Sequence, residues 1–390
     1  MYLFNWSVSL MILTGVLCNA CSPLKEFGRS TAYNGNTNLH YAAPPYSSSR
    51  KTVVIIANND GTELFDMMAP FYLFNATGQA NVYIIAKEQR PIVVKKGLFV
   101  LPQYTFAQVD SMGVKPDLIV IPFLAVADSL HQDPVIVGWI KKHYDGSNII
   151  MSVCDGAATA AATGLFDGRP ITAHAADYAG IKANFQMPGW VQHVAVAGGN
   201  HLYSTAGVSN AVEGSLVVIQ QLFGDSSMQR VMAGIHYPST SPLITHRSEN
   251  FRLVDKFAVG RKLIFGSNKK LGVLLQPGVN EFDLAAVLDT YNRSFPKSIE
   301  SFSANDAPVI SKFGLTLLPT GRANDASLDE LHVIGAFAAP EEGQSVLTTN
   351  TLIQYTGLGN TYIINTCLAQ IREEYGARFG HVVKLMLDYN

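Results

Sequence analysis

One cysteine stands where the sequence predicts a sharp turn between a strand and a helix. Cys154 follows the apolar run 148–153, which is typical of a buried β-strand. The Ala-rich segment 155–164 that comes next, with Gly at its far end, predicts a helix. A nucleophile at such a corner is lifted to the carboxyl edge of a sheet, and the helix N-terminus favours the reactive thiolate. The alternative is a small buried apolar residue, as free cysteines usually are.

Apolar runs and helix-like segments alternate on both sides of this corner. A helix is predicted within 61–74. Further strand-like segments occupy 51–57, 82–86, 97–102, 117–122 and 203–208. This alternation predicts an α/β protein whose sheet is mostly parallel, with helices on both faces.

In this order, the segments resemble the ThiJ/PfpI superfamily, the class I glutamine-amidotransferase-like group that includes isocyanide hydratase. The resemblance covers residues 51–238 and implies a flavodoxin-like, doubly wound fold. It is closest in appearance to isocyanide hydratase and to the sensor halves of AraC-type regulators. Those proteins carry a similar Val-Cys-x-Gly corner and a Gly-Leu-x-x-Gly-x-x-x-Thr-x-His stretch, which here ends at His174.

The resemblance assigns roles to three side chains. Cys154 matches the reactive cysteine, and Asp66, four residues before Pro70, matches an acidic partner that hydrogen-bonds the sulfur. His174 matches a histidine that lies near the cysteine in many members. Glu63 is one helical turn before Asp66 and is expected to face elsewhere. Each partner also has a structural interpretation, since Asp66 would be favourable early in any helix and His174 would serve as a core histidine.

Two departures from the family pattern restrict the chemistry. Asp155 follows the cysteine where protease-like members have His, which argues against a peptidase. Phe123 and Leu124 follow the strand that ends at Pro122, where the family often has Gly-Gly. The backbone N–H groups of Asp155 and Phe123 are expected to line an oxyanion site that bulky side chains crowd.

The resemblance implies a Cys-dependent, hydratase-like or glyoxalase-like enzyme that acts on a small electrophilic molecule. Cys154 would be the nucleophile and Asp66 would move protons. Two alternatives stay open: a non-catalytic sensing domain, and a redox-sensing cysteine that oxidises to a sulfinate. No cofactor or metal is expected, because His-x-x-x-His and phosphate-loop patterns are absent from the sequence, and His193 and His201 lack metal-like spacing. The one Cys-x-x-Cys, Cys18 to Cys21, lies in the predicted leader.

An internal repeat is the second informative feature. Segment 271–288 repeats the plan of 53–73, with Asp283 in the place of Asp66. The segments 301–304, 313–319, 331–335 and 355–359 then follow the order of first-copy segments, the last of them echoing 204–209, and the closing helices 376–389 echo 224–237.

The second copy is about 60 residues shorter after its 331–335 strand, a gap that removes the whole corner. Cys367 lies in a late helix and therefore does not replace Cys154. We therefore predict a degenerate repeat of the same fold that lacks the strand–cysteine–helix corner. This repeat is expected to cover the first domain as an intrachain pseudo-subunit. Because family members usually dimerise, a homodimer is also possible under the same resemblance.

The chain of 390 residues is predicted to divide into five parts. These are a leader 1–21, a flexible tether 22–50, a ThiJ/PfpI-like domain 51–238, a linker 239–268 and the truncated repeat 269–390. A net charge of −2 gives no electrostatic case for nucleic acid or for an anionic membrane surface, and no helix-turn-helix module follows residue 238.

The N-terminal segment predicts a place for the protein in the cell envelope. Residues 2–20 are almost uncharged and apolar, and Cys21 follows a small residue, which resembles a bacterial lipoprotein site with Cys21 acylated. An uncleaved membrane anchor and a cytoplasmic protein with a wrongly assigned start are the alternatives.

Overall fold

The computed structural model describes residues 33, 35, 39, 44–94, 97–126, 131–322, 327–336, 348–356 and 361–389. The predicted leader, its Cys21 and most of the predicted tether lie outside these residues. Within the described residues, no helix combines the length and the apolar character needed to cross a membrane.

The strands of the described residues are β1 (Lys51–Ala57), β2 (Ala80–Ala86), β3 (Ile92–Val94), β4 (Leu98–Val100), β5 (Tyr104–Thr105), β6 (Leu118–Ile121), β7 (Ile149–Ser152), β8 (Pro170–Ile171), β9 (Gly189–Trp190), β10 (Val196–Gly199), β11 (Leu202–Thr205), β12 (Lys270–Leu274), β13 (Ser298–Phe302), β14 (Val309–Ile310), β15 (Thr316–Leu318), β16 (Ser327–Val333) and β17 (Thr348–Gln354). The α-helices are α1 (Leu64–Ala76), α2 (Phe106–Met112), α3 (Pro134–His143), α4 (Gly156–Ala162), α5 (Tyr178–Asn184), α6 (Ala211–Phe223), α7 (Asp225–Gly234), α8 (Leu253–Phe265), α9 (Glu281–Asn292), α10 (Ile363–Tyr375) and α11 (Ala377–Met386).

The main sheet has seven strands in the order β10-β11-β7-β6-β1-β2-β5, and only its edge strand β10 runs antiparallel to its neighbour. Its central strands are continuous apolar runs because both faces are covered. In β1, Val53 and Ile55 pack with α1, α6 and α7, whereas Val54 and Ile56 pack with α2, α3 and α4. This is the predicted flavodoxin-like, doubly wound architecture.

The second half repeats part of this order. Its four-stranded parallel sheet, β13-β12-β16-β17, follows the arrangement β2-β1-β6-β7 of the first half. The pairs α6–α7 and α10–α11 have the same lengths, 13 and 10 residues. Each pair is joined by a glycine with positive φ, Gly224 at 83° and Gly376 at 88°. The two copies recognised in the sequence therefore also share their strand order and the lengths of their closing helices.

One detail of the repeat differs from the prediction. The segment 355–359 was expected to correspond to 204–209, which includes the end of β11, although residues 357–359 lie outside the described residues. In the structure the strand before it, β17, pairs directly with β16 and takes the place that β7 has beside β6. In the shortened second copy, β17 is therefore hydrogen-bonded directly to β16, as β7 is to β6 in the first.

The two halves share one hydrophobic core. Helix α1 packs on its counterpart α9, where Phe282 lies 5.4 Å from Phe65 and 5.8 Å from Tyr72 between ring centroids. A hairpin from each half joins the sheet β14-β15-β4-β3, in which Leu317 pairs with Val100. Corresponding elements thus meet each other, as at a two-fold interface between subunits.

The segment predicted as a linker, 239–268, contains helix α8. This helix is fixed to α11 by an ion pair between Asp255 Oδ1 and Arg378 Nη2 at 2.6 Å. The prolines and charges of this segment suggest a linker. The helix is hard to recognise in the sequence because few of its side chains are buried.

Candidate functional site

Cys154 lies at the predicted corner between β7 and α4. Its side chain is buried and its backbone is left-handed, with φ of 55°, a conformation that is strained for any residue with a Cβ. A Cβ on Gly156 would overlap the carbonyl oxygens of Ile121 and Pro122. Only glycine therefore lets α4 begin this close to the end of β6, which fixes the position of the corner.

The loops after β1 and β6 meet beside this corner. These strands are neighbours, and the chain leaves β1 towards β2 on one side and returns through β6 on the other, so a crevice is expected here. The Glu63 amide donates to the Phe123 carbonyl at 2.9 Å. The Phe123 amide donates to Asp66 Oδ2 at 3.1 Å. Two hydrogen bonds thus hold the first turn of α1 against the end of β6.

Asp66 is fully buried in this first turn, and its charge acts on the Cys154 thiol. The amide of Asp155 donates to the sulfur, as expected of an N–H at the corner. The amide of Phe123, predicted as an oxyanion donor, positions the Asp66 carboxylate instead. A role for Asp155 and Phe123 in binding a developing anion stays a prediction.

Glu63 does not face elsewhere, contrary to the expectation from the sequence. It is the N-cap of α1, where its Oε2 accepts from the Asp66 amide at 2.8 Å, and it is buried. This cap turns the side chain back over the first helical turn, towards the cysteine. The site therefore has a second buried carboxylate on the same helix.

Burial raises the pKa of the Cys154 thiol well above its usual value, and the charges of Asp66, Asp155 and Glu63 raise it further. The Asp155 amide favours the thiolate, but its effect on the pKa is the smallest. The lowered pKa expected from the helix N-terminus is therefore wrong. The short helix α4 is outweighed by the desolvation of the sulfur and by three nearby carboxylates.

Arg293 reaches the site from the second half of the chain. It follows α9, and its Nη2 lies 3.4 Å from Glu63 Oε1, while Nη1 pairs with Asp289. Its Nε donates to the carbonyl of Met386 at 3.1 Å. The pairing partly neutralises Glu63 in a place where an isolated charge would be costly.

His174 also contacts the second half. Its Nε2 lies 3.2 Å from the Met386 carbonyl, and its Nδ1 accepts from the Ala176 amide at 3.2 Å. Both ring nitrogens thus bond to backbone groups instead of to Cys154. The contacts fit a role in joining the two halves, and a catalytic role for His174 stays a prediction.

The C-terminal end of the second half covers the loop after β11. The Ser209 amide donates to the Leu387 carbonyl at 3.0 Å, and its hydroxyl donates to the Asp388 carbonyl at 3.2 Å. A Cβ on Gly207 would overlap the Asp388 side chain, so the two segments are in close contact. No motif in the sequence points directly to this contact or to Arg293. The internal repeat points to them only indirectly, because it brings α9 onto α1.

The other described cysteine does not resemble the first. Cys367 is completely buried within α10, as the sequence predicted for its helix, and burial raises its pKa. Among the described residues, no group of three or more His, Cys, Asp and Glu side chains is arranged to hold a metal ion.

Residues 50–221 match the sequence profile of the DJ-1/PfpI family, the superfamily that the motifs around Cys154 resemble. This part of the chain belongs to that family. The isonitrile hydratase of Pseudomonas putida is 24% identical over 177 residues, which cover 45% of this chain and 75% of the relative.

Solved structures of the family are also similar. Drosophila melanogaster DJ-1beta is 19% identical with a TM-score of 0.43, covering 48% of this chain and 97% of that one. A ThiJ/PfpI family protein from Pseudomonas syringae is 18% identical with a TM-score of 0.42, covering 55% and 85%.

Proposed function

We propose that this protein is a Cys-dependent enzyme that adds the Cys154 sulfur to the electrophilic carbon of a small molecule, with Asp66 as the proton carrier. One observation carries the proposal. The cysteine is held in a strained conformation at the sheet's switch point, beside a buried carboxylate that a backbone amide keeps in place. The family membership and the similarity to an isonitrile hydratase support the same chemistry.

The raised pKa of Cys154 determines how such a reaction proceeds. At neutral pH the sulfur is a thiol, so its proton must leave as the sulfur–carbon bond forms. Asp66 is the buried base beside it, and the Phe123 amide holds its carboxylate. General-base catalysis of this kind lets a thiol react although the thiolate is not populated before the substrate binds.

With an isocyanide as substrate, the reaction begins at the terminal carbon. The Cys154 sulfur bonds to the terminal carbon while its proton passes to Asp66, which returns it to the same carbon and leaves a thioimidate. Water then adds across the carbon–nitrogen double bond, with its oxygen on the carbon and one proton on the nitrogen. The carbon–sulfur bond breaks as the new hydroxyl forms a carbonyl, and the hydroxyl proton returns to the sulfur, which leaves as a thiol. The net reaction converts an isocyanide and one water into an N-substituted formamide. The bulky Phe123 and Leu124 beside the corner favour a small substrate.

A redox-sensing role is less well supported by the site. Oxidation of cysteine follows its thiolate character and its exposure, and Cys154 is both buried and high in pKa. A sensing role without turnover remains distinguishable, because it predicts binding of the small molecule with no product.

The test is turnover of isocyanides and 2-oxoaldehydes by the purified full chain. We expect formamide or 2-hydroxyacid formation in the wild type, loss of at least about a hundredfold in Cys154→Ser, and a large loss in Asp66→Asn. Cys367→Ser is the matched control and is expected to retain activity, since that thiol is buried within α10. Equal turnover in Cys154→Ser and the wild type would refute the proposal.

A further inference from the structure

Helix α8 presents an apolar face to solvent. The residues Leu253, Val254, Phe257, Ile264 and Phe265 are all exposed, Phe265 by 81% and Phe257 by 57%. Together with Arg261, their spacing of i, i+1, i+4, i+8, i+11 and i+12 places them on one side of the helix. This α8 stripe, as we name these six residues, lies opposite the buried Asp255, Val259 and Lys262.

The α8 stripe lies in the most basic part of the chain. Residues 247–270 contain seven Lys and Arg but only two Asp and Glu, a formal charge of +5 in a chain whose net charge is −2. Asp255 is buried in its ion pair with Arg378, Lys262 is buried, and Lys269 pairs with Glu330 and Glu374. The excess therefore comes from the other five cations of this segment, which face Glu249 alone among its acids. Arg261, in the middle of the stripe, forms no ion pair with any described residue. The net charge of the whole molecule conceals this local excess.

We propose that the α8 stripe binds the surface of an anionic lipid membrane. An exposed helix with Phe and Leu on one face and basic residues within and beside it has the composition of helices that lie in the membrane interface. The basic residues would be attracted to acidic headgroups while the apolar side chains enter the acyl boundary. This binding is separate from the predicted acylation of Cys21, on which it does not depend.

Charge favours an anionic membrane over two other occupants of the α8 stripe, a second copy of the chain and the chain's own N-terminal segment. A second copy docking through the same stripe would bring two faces of like charge together, which opposes association. The chain's own apolar segment 2–20 is almost uncharged and would leave Arg261 without a counter-charge. An anionic membrane supplies both the apolar layer and the negative charge that the stripe lacks.

The experiment places a fluorescent reporter on the stripe of the full chain. In Phe265→Trp we expect the emission, relative to the wild type, to move to shorter wavelengths with vesicles of 30% phosphatidylglycerol in phosphatidylcholine, and to be quenched by brominated lipids. Pure phosphatidylcholine vesicles should have a weaker effect, and 0.5 M salt should weaken binding. A tryptophan at the exposed Met187 is the matched control and is expected to stay unchanged.

Substitutions then test the two components separately. Arg261→Glu is expected to reduce partition onto anionic vesicles about 25-fold, since it changes the charge by two units and each unit near such a surface contributes about fivefold. The pair Phe257→Ser and Phe265→Ser is expected to reduce it similarly, without a change in melting temperature, because these side chains are exposed.

Three results would overturn the proposal. Emission from Phe265→Trp that does not respond to anionic vesicles leaves the stripe without a membrane role. Emission that moves to shorter wavelengths only as protein concentration rises indicates a second copy as the occupant. Emission that is already at short wavelength in the lipid-free monomer indicates that a segment of the same chain covers the stripe.

Discussion

At the scale of single residues, the Cys154 thiol holds its proton more tightly than an exposed cysteine does. Desolvation of the sulfur and the charges of Asp66, Asp155 and Glu63 act in the same direction. The residue is therefore protected from non-specific alkylation and oxidation at neutral pH. Under the mechanism proposed above, it would react only when a substrate brings an electrophilic carbon next to both the sulfur and Asp66.

The pH dependence of alkylation follows from these charges. The rate at which iodoacetamide labels the peptide that contains Cys154 should still be rising above about pH 9, because the thiolate fraction grows until the raised pKa is reached. In Asp66→Asn a negative charge that opposes the thiolate is removed. The profile should therefore move to lower pH, while catalytic turnover falls for lack of a proton acceptor.

Asp225→Asn, an exposed position on α7, is the control and should leave the profile unchanged. A wild-type rate that levels off below pH 8 would contradict the raised pKa. A shift to higher pH in Asp66→Asn would mean that Asp66 is protonated and donates to a thiolate.

Arg293 is expected to stabilise the protein through its buried pairing with Glu63. Arg293→Ala leaves Glu63 and Asp289 without that cation, and breaking a buried ion pair on one side costs about 3–5 kcal/mol. Adding Glu63→Gln should recover part of the loss, since one of the two carboxylates that lose Arg293 is then neutral. Urea denaturation measures both values.

The exposed pair Arg90–Asp60 provides the comparison for this series. Arg90→Ala is expected to lower the free energy of unfolding by no more than about 1 kcal/mol. If Arg293→Ala were as mild as this, the contact across the two halves would have no energetic importance.

The sequence could predict the corner at Cys154 because the strand, the cysteine and the Ala-rich helix are consecutive in the chain, and the family resemblance pointed to Asp66, whose charge acts on that thiol. It could not predict that Glu63 turns back over the helix as its N-cap, since that depends on backbone geometry. It could not predict Arg293, which is 230 positions away from Glu63 in the chain. Long-range partners of this kind have no signature in a single sequence.

At the scale of elements, the corner depends on how closely α4 approaches the end of β6. Gly156→Ala introduces a Cβ that overlaps backbone carbonyls of Ile121 and Pro122, which cannot rotate away as a side chain would. We expect a loss of at least about 2 kcal/mol in the free energy of unfolding, together with reduced turnover from a displaced Cys154.

Gly138→Ala tests whether the effect is specific to the corner. Gly138 is exposed in α3 with no atom near an added Cβ, so alanine should stabilise the helix by about 0.5–1 kcal/mol. Thermal melting of the two variants should therefore move in opposite directions. A neutral Gly156→Ala would mean that the corner can relax at no cost.

Strands with long apolar runs were predictable as elements, and the predicted segment 51–57 coincides with β1. Helix α8 was not, because only a minor part of its surface is buried and its composition is that of a linker. The pairing of β4 with β15 was also beyond the sequence, since two short strands of ordinary composition meet only after the halves have docked.

At the scale of the whole molecule, the chain resembles a dimer whose second subunit is shortened and covalently attached. The second sheet has four strands, and its helix α9 buries its apolar face on α1. Separated from the first half, α9 would expose the apolar face that it buries on α1, including Phe282. We therefore expect 269–390, expressed alone, to aggregate or to show no cooperative melt.

Shared burial further predicts that the two halves unfold together. Phe282, in α9, is fully buried against Phe65 and Tyr72 of the first half, so Phe282→Ala should lower the free energy of unfolding by about 3–5 kcal/mol.

Two probes can test whether this loss reaches the first half. In a Trp6→Phe background the fluorescence comes from Trp139 and Trp190, which both lie in the first half. Because the core is continuous, Phe282→Ala should lower the melting temperature reported by these tryptophans and by circular dichroism equally. Ile310→Ala, at an exposed position, should leave both unchanged. A tryptophan transition that stays in place while the dichroism curve splits into two steps would show that the halves are independent domains, and that the second half covers the Cys154 site without stabilising it.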